Sequence, residues 1–122
     1  MVTEREQATI RVLRELRDYA REKMEAKLTG ECLEIIGLTA KEFRLPAHLI
    51  FGGRGSETAA RMRAMAMYRC RKLTEASYPE LGRVFGRHHS TVIHAVELME
   101  ERYGEKQLIG DFVERLTEGD GQ

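Results

Sequence analysis

The sequence predicts an all-α protein of one domain built around a helix-turn-helix, and three observations carry that expectation. Apolar residues recur at helical spacing along most of the chain, and nowhere do β-branched or aromatic residues alternate with polar ones over more than a few positions. Helix-start signals, a hydroxyl side chain followed three residues later by a glutamate, stand at Thr3/Glu6 and Ser77/Glu80. Glycine and proline gather at a few points where such helices would stop or turn. At 122 residues the chain suffices for one modest core.

In chain order, Thr3 and Glu6 open a first helix whose Leu13, Leu16, Ala20, Met24 and Leu28 lie along one face, and Gly30 is the expected stop. Residues 1–28 thus form an amphipathic N-terminal helix, and its stripe is expected to bury either on the domain's own core or against a second copy of the chain. A second helix, Glu31 to Phe43, is expected to bury Leu33, Ile36 and Ala40. Pro46 suits the first turn of a short helix through Phe51, and Gly52-Gly53-Arg54-Gly55 reads as a loop. The longest helix runs from Ser56 or Glu57 to Leu73, with Met62, Met65, Ala66, Arg69 and Leu73 in one stripe. Its methionines are core filler.

The next stretch, SYPELGRVFGRHHSTVIHAVELMEERYG, is the most informative. Ser77, Pro79 and Glu80 start a short helix with Leu81, Val84 and Phe85 on its inner face, and Gly86 stops it. A further helix then begins at Ser90 or a neighbour, turning Val92, Ile93, Val96 and Met99 inward. Arg87, His88, His89, Ser90, Thr91 and His94 are left at its exposed start. Polar hydrogen-bonding groups at the N-terminal end of a second helix are what reading base edges requires, and the same pattern is shared by a plain helical hairpin with a polar corner.

Charge points the same way. The net charge is zero, yet from Arg54 to Ala95 eight basic residues face three carboxylates, and from Val96 onward three face eight. Only the middle segment offers the local cation excess that neutralising phosphates needs. No apolar run is long enough to cross a bilayer, and the charged N-terminus lacks a signal peptide's core, so a cytoplasmic location without membrane contact is expected. Cys32 and Cys70 lack ligand spacing and read as buried free thiols. His88 and His89 point to different sides of a helix and His94 is five residues beyond His89, so no metal is expected. GGRGSET lacks the lysine of a phosphate loop, and no nucleophile/base or paired-carboxylate arrangement stands out. No cofactor and no enzymatic activity are therefore expected.

The segment MRAMAMYRCRKLTEASYPELGRVFGRHHSTVIHAVELME closely resembles the C-terminal DNA-binding domain of the bacterial replication initiator DnaA family. The hallmark of that family reads approximately Ser-x-Pro-Glu-Ile-Gly, then Phe-Gly-Gly-Arg-Asp-His-[Ser/Thr]-Thr-Val. The similarity covers roughly residues 29–117, including the upstream Arg61-x-Arg63 pair, and leaves 118–122 as a flexible tail. It implies a Trp-repressor-like helical fold with an extra N-terminal helix, and sequence-specific binding of double-stranded DNA in the control of replication or transcription, at the nucleoid. By position, the resemblance implies Arg61 in the minor groove, with Arg63 beside it, and Arg54 as what remains of a basic loop on phosphates. Arg87, His89, Ser90, Thr91 and His94 would lie in the major groove. Three departures stand out: the loop before Arg61 is nearly stripped of basic residues, Gly86 stands alone where the family has paired glycines, and His88 replaces an aspartate. A carboxylate accepts from cytosine N4, whereas an imidazole N–H donates to guanine, so His88 is expected to change the preferred base. The alternative is a protein-binding adaptor with an initiator-like fold and little DNA affinity, docking a partner such as a replication protein through helices 3–28 and 105–117.

Overall fold

A computed structural model describes residues 2–52, 55–110 and 112; the expected helix to residue 117, the tail 118–122 and Arg54 lie outside the described residues, wholly or in part. The described residues are helical, with no strand among them. Helix α1 is Glu4–Phe43, a 3-10 turn spans Ala47–Ile50, and α2 (Glu57–Leu73), α3 (Tyr78–Phe85), α4 (His89–Arg102) and the short α5 (Glu105–Leu108) follow.

Helix α1 begins as the sequence indicates, with Thr3 Oγ1 accepting from the Glu6 amide at 3.2 Å. It does not stop at Gly30. All 40 residues form one helix, ending where Arg44 turns left-handed (φ 57°). A glycine ends a helix by adopting that left-handed conformation, and among the described glycines only Gly86 and Gly110 have positive φ. Gly30 therefore stays helical at a cost of about 0.5–1 kcal/mol relative to alanine, offset by burial of Leu28 and Cys32 on either side of it.

The two halves of α1 live in different surroundings. From Leu28 onward one face is buried through Cys32, Ile35, Ile36, Thr39 and Ala40, while Leu33, expected inside, is 50% exposed and points away. From Val2 to Lys27 every residue is exposed, Leu13 by 61% and Leu16 by 59%. The stripe of the first half is thus not packed on the domain's own core, which removes one of its two expected burials.

The second half of α1 packs on α2, which in turn packs on α4; α3 and α4 pack on each other. Ile36, Ile50, Met62, Leu81, Phe85 and Val92 fill the centre with almost no exposure, each contributing roughly 1.5–3 kcal/mol by leaving water. Cys32 and Cys70 are buried free thiols here. Contact with Cys32 and then burial push the Cys70 thiol up. One polar group sits at the heart of the packing. Arg69, 2% exposed, donates from Nε to the Leu108 carbonyl at 2.8 Å and from Nη1 to Thr39 Oγ1 at 3.1 Å and Glu42 Oε2 at 2.6 Å. Its guanidinium also lies 4.1 Å from the Phe112 ring centre, so one side chain ties α1, α2 and the end of α5 together.

Candidate nucleic-acid interface

Helix α3 opens with a capping box: Glu80 N donates to Ser77 Oγ at 3.3 Å and Ser77 N donates to Glu80 Oε1 at 3.0 Å. These bonds to the backbone and side chain of Ser77 hold the Glu80 carboxyl below its ordinary value. Leu81 and Phe85 point into the core and Val84 is half-buried, as the sequence indicates. At the other end Gly86, at φ 64°, accepts the left-handed cap, and the Arg87 amide closes the turn on the Gly82 carbonyl at 2.8 Å. One glycine therefore suffices where the resembling family carries two.

Gly82 is a second requirement of this turn, one the sequence reading passed over. A Cβ there would lie 2.7 Å from the Arg87 carbonyl oxygen and 3.2 Å from the His89 amide nitrogen. The close approach of α3 to the start of α4 needs a bare backbone.

Helix α4 starts at His89, and its N-cap is His88 rather than Ser90. The His88 ring accepts from the Ser90 amide at Nδ1 (3.2 Å), which also lies 2.8 Å from Ser90 Oγ. An imidazole that accepts at Nδ1 carries its proton on Nε2, and that N–H remains available to donate outward. The His88 and His89 rings sit against each other, centroids 4.2 Å apart. His88, His89, Ser90, Thr91 and His94 are all exposed, while Val92, Val96 and Met99 on the opposite face are buried and Ile93 is half-buried. The first turns of α4 thus present donors and acceptors to solvent from a helix fixed along its inner side.

The arginines divide. Arg87 is half-buried and donates through Nη2 to the Gly52 carbonyl. Arg63 turns inward, with Nε on the Ile50 carbonyl at 2.8 Å and Nη2 on the Leu49 carbonyl at 3.0 Å. Burial, and then the nearby Arg87 charge, hold Arg63 below the ordinary arginine value. Two guanidinia therefore grip the end of the 3-10 turn and Gly52 just beyond it, and the Phe51 and Phe85 rings meet beside them at 6.5 Å. Arg61 stands elsewhere: it is exposed on α2, where Ala60, Arg61 and Ala64 face Leu98 and Arg102 of α4, and Tyr103 just beyond it, across a groove of about 180 Å³. The structure thus gathers Arg87, His88, His89, Ser90, Thr91 and His94 at the start of α4, sets Arg63 behind them, and places Arg61 beside the other end of that helix. Arg83 is a further exposed cation on α3, 3.7 Å from Glu25 of α1; the basic count of the middle segment already included it, but no motif singled it out.

Residues 32–98, more than half of the chain, match the family described as the bacterial DnaA protein helix-turn-helix. Curated relatives include the chromosomal replication initiator proteins DnaA of Tropheryma whipplei (strain Twist), 37% identical over 86 residues, and of Leifsonia xyli subsp. xyli, 39% identical over 85. That of Clavibacter sepedonicus is 38% identical over 86 residues. These matches take in 69–70% of this chain but 18% of each relative, so the chain spans less than a fifth of their length. The match begins at Cys32, close to where α1 starts to bury itself, and covers α2, α3 and most of α4. The chain belongs to the bacterial DnaA helix-turn-helix family.

Proposed function

We propose that this protein binds duplex DNA sequence-specifically and acts in the control of replication or of transcription. The observation that carries the reading is the start of α4: five exposed polar side chains, His88, His89, Ser90, Thr91 and His94, on a helix braced along its inner side by α3. In this reading the N-terminal turns of α4 enter the major groove and α3 crosses the backbone. Ser90, Thr91 and the histidine ring nitrogens supply donors and acceptors for base edges, and the positive end of the α4 dipole favours a nearby phosphate. Arg87 spends one N–H on Gly52 and keeps the others for DNA. Arg61 reaches toward a neighbouring minor groove, where a narrow A·T-rich segment concentrates negative potential. Arg54 adds a phosphate contact, and Arg63 supports the site by holding the 49–52 segment in place.

Fluorescence anisotropy at stated salt, comparing a duplex that carries an initiator-type site with a scrambled one, tests the reading. The site should bind about a thousandfold more tightly than the scramble, within the range of specific DNA readers. Arg61→Ala should weaken binding to both and lower the salt dependence by about one phosphate contact. Equal affinity for the two duplexes would remove the sequence-specific reading. Unchanged binding by a folded Arg61→Ala protein would remove the minor-groove role.

A further inference from the structure

The first half of α1 lies outside both the matched segment and the packed core. Its side chains are sorted around the helix with a period of about 3.6 residues. Leu13, Leu16, Ala20 and Met24 form a stripe, and the three large side chains are 53–61% exposed. One border of the stripe carries Arg14, Arg17 and Arg21; the other is apolar at Val12 and Tyr19, 53% and 60% exposed, with Arg5 and Lys23 toward its two ends. Glu4, Glu15, Asp18 and Glu22 lie on the opposite side of the helix, Glu25 stands next to Arg21, and Glu6 is in line with the stripe two turns before Leu13. From Leu13 to Met24 the apolar strip is therefore edged on one flank by a row of three arginines, with most of the carboxylates behind it.

We propose that this arm docks an acidic amphipathic helix of another protein, one that carries its own apolar stripe between aspartate or glutamate flanks. Charge selects this occupant over a second copy of the chain. In a pair of identical arms an antiparallel seam sets the row of Arg14, Arg17 and Arg21 against itself and a parallel seam sets it against Val12 and Tyr19, so neither array gives these arginines a carboxylate to meet. A partner with acidic borders turns those contacts into attractions and covers Leu13, Leu16 and Met24 from water. The arm is preformed for such a role: nucleation is the costly step in forming a helix, and here the buried half of α1 supplies the nucleus from which the arm propagates.

The test uses the full chain and two labelled amphipathic peptides of about 20 residues with the same leucine stripe, one flanked by glutamates and one by lysines. In anisotropy titrations the glutamate peptide should bind at least about tenfold more tightly and lose affinity with added salt. Arg14→Glu/Arg17→Glu/Arg21→Glu changes only exposed residues and should leave thermal unfolding and DNA binding in place. It should reverse the preference between the two peptides, and Leu13→Gln/Leu16→Gln should abolish binding of both. Equal binding of the two peptides, no binding of either, or unreversed preference in the triple variant would overturn the proposal. So would a wild-type chain that sediments as a dimer which Leu13→Gln/Leu16→Gln dissociates, or one that binds phosphatidylglycerol vesicles while ignoring the glutamate peptide.

Discussion

At Gly82 a methyl group is enough to disturb the packing of α3 on the start of α4, because the atom it meets, at 2.7 Å, is the backbone carbonyl of Arg87 and not a side-chain tip that could swing aside. Gly82→Ala should cost about 1–3 kcal/mol in chemical denaturation, as overpacking does, and should weaken DNA binding beyond that loss because α4 is pushed off its seat. Glu80 gives a pH-dependent counterpart. Its carboxyl is held below the ordinary glutamate value by the capping box, so the stability it contributes is present above that ordinary value, about 4.3, and is lost as pH falls through the lower folded value. Wild type and Glu80→Gln should differ most in melting temperature near neutral pH and converge on acidification. His88 combines two tasks, a cap through Nδ1 and an outward Nε2–H. His88→Asp should keep or strengthen the cap while moving base preference at one position from guanine to cytosine, with about 1–3 kcal/mol of discrimination. Selection from a random duplex pool reads this out, and identical selected sequences for both proteins would leave His88 as a cap alone. Much of the site was legible in residue types: Ser77 and Glu80 announce a cap by identity and spacing. The inward turn of Arg63 and the tie from Arg87 to Gly52 were not, because both depend on carbonyls brought near by tertiary packing more than a dozen residues away in sequence.

Among the elements, α1 shows what a periodic pattern leaves undecided. The spacing of Leu13, Leu16, Ala20, Met24 and Leu28 gave the helix and its apolar side correctly, but the same spacing is produced by a buried face and by an exposed one awaiting a partner. Gly30 misled for a related reason: a glycine near the end of a stripe resembles a stop, and only its backbone conformation shows that it is not one. Gly30→Ala should therefore stabilise the protein by about 0.5–1 kcal/mol, since nothing lies within 4 Å of the added Cβ; the thermal transition should rise and the helical circular dichroism should not fall. Hydrogen exchange should divide the helix unevenly, fast from Glu4 to Met24, where every residue is exposed, and slow from Cys32 to Ala40. Uniform protection along α1 would show that the arm is covered in solution.

For the molecule as a whole, Arg69 is the point where three elements are made to agree. Glu42→Gln removes the charge facing a guanidinium that is 2% exposed, while the Leu108 and Thr39 bonds remain. Because Glu42 itself is 35% exposed, the loss should be about 2–3 kcal/mol, below the roughly 3–5 typical of breaking a fully buried pair, and the unfolding midpoint in urea measures it. If the protein reads DNA as proposed, the unbroken α1 makes it a lever as well. At about 1.5 Å per residue the arm from Glu4 to Lys27 reaches roughly 36 Å from the packed domain, close to one turn of the double helix, about 34–36 Å. Whatever grips the tip is therefore held at a set distance and a set bearing from the start of α4. Each residue inserted near Gly30 would lengthen the reach by only about 1.5 Å but swing the bearing by about 100°. A cooperative assembly built on this arm should be phase-sensitive: a two-residue insertion should disrupt it, whereas seven residues, nearly two full turns, should largely restore it.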